Sequence, residues 1–221
     1  MARPAKKHVV AALLERHGRT YAEELGIDAR KGTPSALFRL LCAATLYSAR
    51  IDARIATEAA RNLRGRGWTT AEKLAASTWN QRVEALNDAG YTRYQERTAT
   101  MLGDLAEELV ERYGGDLRKL RQEAERDPER ERKLLKRFKG LGDVGVDIFF
   151  REVQVCWDEL RPFADRRALD AARRLELGGD VKALARAADG ELPRLLAALV
   201  RTELEDDYDE VRKVARRRAS S

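Results

Sequence analysis

Two short segments of this sequence carry residues whose types and spacing could do chemistry. In the first, Gly140 and Gly142 bracket Leu141 directly before a strongly apolar helical stretch. Glycine permits the left-handed backbone of a tight turn, and the free amides at the start of a helix favour an anion such as phosphate. In the second, Asp165 stands alone between an apolar pair and two arginines. A carboxylate held in place can stabilise developing positive charge and can orient or deprotonate a water molecule.

The elements that position these segments are predicted to be helices. Apolar residues recur at helical spacing, and no segment alternates apolar and polar residues as a strand does. The predicted helices span 4–17, 34–46, 51–63, 93–113, 117–125, 128–138, 143–155, 166–177, 181–188 and 192–217, the last of them interrupted near Asp206-Asp207. The glycine hairpin therefore joins two helices, and Asp165 directly precedes another.

Capping residues set several of these boundaries. Thr33 is predicted to cap a helix that has Pro34 at its first position. That helix is apolar nearly all round, which predicts a central, buried position. Two short helices are predicted to begin with capping boxes, one formed by Thr69 with Glu72 and the other by Thr78 with Gln81.

Composition limits the class of protein. The 221 residues are 36% charged with a net charge of +6, which permits an anionic partner without requiring one. No apolar run approaches the length of a membrane span, and the N-terminus leads into no signal-peptide core. Cys42 and Cys156 lie in apolar helical stretches and are predicted to be buried thiols, which fits a reducing compartment.

Five segments together resemble one family. Leu134, Leu135 and Phe138 precede the hairpin as the family's leucine-rich first helix does, and Phe163-Ala164 leads into Asp165 as the family's short apolar segment does. Further matches are the helix from Ala168 to Leu175, the segment from Thr33 to Arg50, and the turn Ala89-Gly90-Tyr91. This pattern resembles the helix-hairpin-helix DNA glycosylases, the endonuclease III superfamily, over roughly residues 33–175.

The resemblance implies an all-α fold with two lobes. Residues 31–158 would form a helical barrel lobe that contains the helix-hairpin-helix at about 128–157, and residues 1–30 with 159–221 would form a second lobe that carries the catalytic aspartate. In the family's fold, the cleft between the lobes would bring Asp165 beside the hairpin. The resemblance further implies a monomeric, cytoplasmic, nucleoid-associated protein whose partner is double-stranded DNA with a damaged or mismatched base, and no membrane.

The implied activity is base removal by a monofunctional glycosylase. Cleaving an N-glycosidic bond builds positive charge on the deoxyribose, and Asp165 would stabilise that charge and direct a water molecule. Bifunctional members place a lysine where this chain has Val144, and two cysteines cannot build the four-cysteine iron–sulfur cluster that many members carry. We therefore expect no cofactor beyond an alkali cation, implied by the family, at the hairpin carbonyls. A bifunctional glycosylase/lyase and a catalytically silent lesion-binding protein remain alternatives.

The resemblance also distributes binding roles. It places phosphate and duplex contacts in the hairpin segment and after the aspartate, at Lys139, Gly140, Leu141, Gly142, Val144, Gly145 and Arg166. Tyr91 would be the wedge that fills the hole left by the extruded base, and Arg50 would reach the opposite strand. The base pocket would be lined by Tyr47, Trp157 and Phe150, and no residue is predicted to bind a metal through its side chain.

Plain structural interpretations compete with these roles. Tyr91 could simply cap a helix end, and Arg50 could pair with a surface carboxylate. Asp165 could be the N-cap of the helix that follows it, a position where aspartate is common. The basic run from Arg212 to Arg218 is either a frayed tail or a further DNA contact.

Overall fold

The structure, a computed structural model, describes residues 4–220, and every regular element in that range is a helix. The α-helices are α1 Lys6–His17, α2 Tyr21–Glu24, α3 Pro34–Tyr47, α4 Ala53–Gly65, α5 Ala71–Ala75, α6 Trp79–Asn87, α7 Gln95–Tyr113, α8 Leu117–Glu123, α9 Pro128–Leu135, α10 Asp143–Val153, α11 Arg166–Arg174, α12 Val181–Ala188, α13 Leu192–Glu205 and α14 Tyr208–Ser220. Short 3₁₀ helices lie at Ala29–Lys31 and Asp158–Leu160. The prediction of an all-α fold is confirmed.

Two of the three predicted N-terminal caps are confirmed. The Thr33 hydroxyl accepts a hydrogen bond from the Ala36 amide at 3.3 Å, and Thr78 forms both halves of its capping box with Gln81. The box predicted at Thr69 is wrong. The Thr69 amide donates to the Gly67 carbonyl in the preceding turn at 2.9 Å, and Thr70 caps α5 one residue later.

The chain forms two compact units. One consists of Leu25–Glu159, and the other joins the residues up to Glu24 with those from Leu160 onward. In the Leu25–Glu159 unit, α3 is the central helix, since ten of its fourteen residues are buried. It packs against α4 on one side and against α10, the second helix of the hairpin, on another. The buried position predicted for α3 is confirmed.

The second unit is built around α13. Helix α1 packs against α13 and α14, and α11, which follows Asp165, also packs against α13. The predicted interruption near residue 206 is present because Asp206 adopts a left-handed backbone with φ +51° and ends α13. Within residues 4–220, no helix is both long and apolar enough to cross a membrane.

Candidate functional site

The hairpin between α9 and α10 is a tight turn plugged by one apolar side chain. Helix α9 ends at Leu135, earlier than the predicted 138, because the amides of Arg137 and Phe138 already bond three residues back, to Leu134 and Leu135. The Leu141 amide then donates to the Phe138 carbonyl at 3.0 Å, and the Leu141 side chain is buried. Leu141 is thus a packing residue that fixes the turn against the core.

The three hairpin glycines do different work. Gly140 has φ +90°, and a Cβ there would lie 2.0 Å from Cε of Met101, so both backbone and packing require glycine. A Cβ on Gly145 would lie 2.7 Å from Cδ1 of Leu141, so this glycine lets α10 pack closely. Gly142 has φ −87° and ψ −172°, which any residue adopts, and a Cβ there would have no neighbour within 4 Å. The left-handed backbone that we expected of both turn glycines is therefore found only at Gly140.

The N-terminus of α10 is open. Gly142 is its N-cap and offers no side-chain cap, so the first amides of the helix have no acceptor within it. Val144 lies in this first turn with 58% of its surface exposed. The Asp143 carboxylate, also in this turn, is bound by Lys136 at 2.8 Å. The arrangement offers backbone donors to an anion, with one neighbouring carboxylate already paired.

Ion pairs hold the two hairpin helices together. Arg132 of α9 binds the Asp147 carboxylate of α10 at 2.6 Å, and its guanidinium lies over the Phe150 ring. Lys139, in the turn, binds Asp104 of α7 at 2.9 Å. The predicted duplex contact Lys139 therefore already has one carboxylate partner.

Asp165 is the N-cap of α11. Its Oδ1 accepts a hydrogen bond from the Ala168 amide at 2.9 Å, and only 6% of the residue is exposed. The following Arg166 is exposed over 91% of its side chain and pairs weakly with Asp170 at 3.6 Å. The capping interpretation of Asp165 is thus confirmed, and a capping carboxylate is also one held rigidly.

Tyr91 is buried, whereas the wedge role predicted for it requires an exposed side chain. Tyr91 is 1% exposed, and its hydroxyl donates to the Leu46 carbonyl at 3.4 Å. The residue follows Gly90, whose φ of +75° turns the chain so that the ring enters the core. A wedge must reach into the duplex, so this residue is a structural one. Arg50 lies exposed in the turn after α3.

The three predicted base-pocket aromatics are mostly core residues. Trp157 is buried with its ring edge against Phe149, 5.5 Å between centroids, and Phe150 is buried on the same helix. Phe150 lies on the buried, apolar face of α10, and Trp157 follows the end of this helix and is also buried. Tyr47 is half-buried, and its hydroxyl bonds Thr57 Oγ1 at 2.7 Å. A pocket open to a base is therefore not formed by Trp157 and Phe150, which corrects that prediction.

Two carboxyl groups, Glu131 of α9 and the half-buried Glu159, form an electrostatically linked pair. Arg121 binds Glu159 with two hydrogen bonds of 2.6 and 2.5 Å. Burial acts to raise the pKa of Glu159, but hydrogen bonds, chiefly those of Arg121, and the Arg121 charge outweigh it and lower that pKa to about 2. Glu131, in the first turn of α9, is completely buried. Burial, reinforced by the negative charge of nearby Glu159, raises the pKa of Glu131 to about 9, so this carboxyl keeps its proton at neutral pH. The sequence pattern did not reveal this cluster, since Arg121, Glu131 and Glu159 come from three separate segments.

Neither Cys42 nor Cys156 forms a disulfide bond. Burial raises the pKa of the Cys42 thiol to about 12, so it is protonated at neutral pH. Cys156 is only half-buried, which is less burial than we expected. Among residues 4–220, histidines, cysteines and carboxylates form no group of three or more that could hold a metal ion.

Comparisons with known proteins give one distant likeness. No protein-family model matches the sequence, and no curated protein matches it. A solved structure of a trapped endonuclease III–DNA covalent intermediate, an estranged-adenine complex, resembles this chain at 17% identity. The match covers 90% of this chain and 85% of that chain with a TM-score of 0.49. The function proposed below is therefore argued from the residues of this chain.

Proposed function

We propose that this chain is a DNA glycosylase that hydrolyses the N-glycosidic bond of a damaged or mismatched base. The observation that carries the proposal is the open N-terminus of α10 in the Gly140-Leu141-Gly142 hairpin, where uncapped amides and exposed Val144 can meet a DNA phosphate. Backbone amides read no base, so this contact positions the duplex and leaves lesion choice to other groups.

Asp165 is the proposed catalytic group. As the glycosidic bond breaks, positive charge develops on the deoxyribose, and a fixed carboxylate stabilises it. The bond from the Ala168 amide occupies Oδ1 and fixes the carboxylate's orientation. Such a carboxylate can also accept a proton from the attacking water, which completes hydrolysis without a covalent intermediate.

An alkali cation at the hairpin remains part of this proposal. Within residues 4–220, the carbonyl groups of Lys139, Gly140 and Leu141 accept no backbone hydrogen bond, which makes these oxygens available to a cation. A bound cation would add positive charge where a phosphate is to be held. The iron–sulfur cluster is not part of the proposal, because the chain has only two cysteines.

One observation favours a second candidate function, a lesion-binding protein without catalysis. Asp165 has a complete structural role as the cap of α11, so its presence does not require chemistry. The lyase alternative is weaker, because Val144 stands where an amine nucleophile is needed and only an amine can form the Schiff base.

A substrate screen separates these functions. The purified protein would be incubated with duplexes that contain uracil, oxidised or alkylated bases, or mismatches, and the released base would be measured. We expect one lesion class to lose its base and leave an intact abasic strand. Tight binding to a lesion with no release from any duplex would favour the silent binder, and strand cleavage would favour the lyase.

A further inference from the structure

A cavity of about 260 Å³ opens beside the hairpin in the Leu25–Glu159 unit. Its walls come from two elements, namely Arg97, Thr100 and Met101 of α7, and Lys139 and Gly140 of the hairpin turn. Because Gly140 has no side chain, the turn lies directly against Met101, and α7 and the hairpin share one surface. No sequence pattern indicates this cavity, because Arg97 is far from the hairpin along the chain.

The cavity carries donors that its own walls leave available. Arg97 is exposed, and among the described residues its guanidinium forms no ion pair or hydrogen bond. Lys139 binds Asp104 at 2.9 Å but has three N–H donors, so two remain for another acceptor. Two cations against one carboxylate leave this surface positive.

The remaining polar wall is fixed by its own hydrogen bonds. Thr100 Oγ1 donates to the Glu96 carbonyl at 3.0 Å and accepts from Nε1 of Trp79, also at 3.0 Å. Its one proton is therefore used, and it does not serve as a donor to an anion. Trp79 is 41% exposed beside it. The anion-binding capacity of this cavity thus rests on Arg97 and Lys139.

We propose that this cavity binds a second DNA backbone phosphate, held between the Arg97 guanidinium and the Lys139 ammonium. The inference rests on the proposed DNA function and extends the hairpin's contact from one phosphate to two. An arginine fork suits phosphate oxygens, and its charge is not reduced by a carboxylate partner. The site reads no base, so it strengthens binding to damaged and undamaged duplexes alike.

The test is a salt titration of duplex affinity with Arg97→Ala. Undamaged duplex is the probe, so that binding is measured separately from base release. We expect affinity to fall roughly tenfold, the equivalent of 1.4 kcal/mol, and the slope of log K against log salt to become shallower by about 0.9. Arg118→Ala is the matched control, since Arg118 is an exposed arginine of the same unit already paired with Asp116 at 2.7 Å. It should leave both values unchanged.

The outcomes separate this inference from the proposed function. If the wild type binds duplex and Arg97→Ala binds it with the same affinity and slope, the second phosphate site is wrong while the glycosylase proposal stands. If the wild type binds no duplex at all, both fail. Inorganic phosphate provides a further arm: saturable binding that Arg97→Ala abolishes, with duplex affinity unaffected, would assign the cavity to a free anion and overturn the inference.

Discussion

The N-termini of α10 and α11 differ in whether a side chain caps their first backbone amides. Each helix begins with amides that have no acceptor within the helix. At α11, the Asp165 side chain caps the helix, since its Oδ1 accepts a hydrogen bond from the Ala168 amide at 2.9 Å. At α10, Gly142 has no side chain to cap the helix. A Cβ at this position would have no neighbour within 4 Å.

This difference assigns the two termini different chemistry. The open terminus is a place for an external anion, because both the free amides and the helix dipole favour negative charge there. At the closed terminus, the Asp165 carboxylate already supplies a negative group and occupies the Ala168 amide, which disfavours an external anion there. What it offers is that carboxylate itself, fixed in orientation. The proposed division of roles, with phosphate binding at α10 and catalysis at α11, rests on this difference.

The largest expected effect comes from removing the charge at the closed terminus. Asparagine caps a helix about as well as aspartate, so Asp165→Asn should keep α11 and change stability by a few tenths of a kcal/mol. It cannot stabilise the developing sugar cation or accept a proton. Single-turnover base release should fall by roughly 10²–10⁴-fold, with duplex affinity within a few fold of wild type.

Asp165→Ala provides the complementary control. Loss of the cap should lower the free energy of unfolding by about 1 kcal/mol, measured by denaturant titration. If Asp165→Asn retains the wild-type rate of base release while only Asp165→Ala is affected, Asp165 is a cap alone and its assignment as the catalytic group is wrong.

The next effect compares the two turn glycines. Gly140→Val forces a β-branched residue to φ +90° and against Met101, so unfolding free energy should fall by at least about 1–3 kcal/mol. At Gly142 the backbone is extended and a Cβ has no close neighbour, so Gly142→Val should lower the free energy of unfolding by about 1 kcal/mol at most. Thermal denaturation of both variants measures this difference.

Gly142→Val should nevertheless weaken DNA binding, because its side chain stands in front of the open amides. We expect affinity for damaged and undamaged duplexes to fall by similar factors and to depend less steeply on salt. If a folded Gly142→Val variant binds both duplexes like the wild type, the proposed phosphate site at the N-terminus of α10 is wrong.

Sequence reasoning reached the local features of these sites and missed the distant ones. The central position of α3, the Thr33 and Thr78 caps and the break near residue 206 depend on neighbouring residues, so pattern and capping chemistry were sufficient. Tyr91 was misjudged because the direction of its ring depends on the whole turn after Gly90. Arg97 was missed because its relation to Lys139 arises only when α7 packs against the hairpin.

The N-terminus of α9 adds a third case, in which stability depends on pH. Helix α9 is capped by Asp127, and its first turn buries Glu131, whose pKa is raised to about 9 by burial and by Glu159. Between the unfolded value of 4.5 and about 9, the folded state holds a proton that the unfolded state has lost. The stability linked to this proton is therefore fully present below pH 4.5 and is lost progressively as pH rises toward 9.

Glu131→Gln keeps the neutral form of this side chain at every pH. We expect the variant to lose less stability than the wild type between pH 6 and pH 9, as followed by urea denaturation at several pH values. Glu129→Gln is the control, since Glu129 lies exposed on the same helix. Parallel pH profiles for the wild type and Glu131→Gln would mean that Glu131 is not protonated in the folded state.

The smallest expected effect is the absence of a covalent adduct at the open terminus. Val144 is exposed in the first turn of α10, so the position that the resemblance matches to the lysine of bifunctional glycosylases is accessible but has no amine. Only an amine can form a Schiff base with the abasic sugar. Borohydride trapping on an abasic duplex should therefore give no adduct above a control protein. A robust adduct would restore the lyase alternative, and loss of that adduct in Lys139→Ala would identify Lys139, in the same hairpin, as the nucleophile.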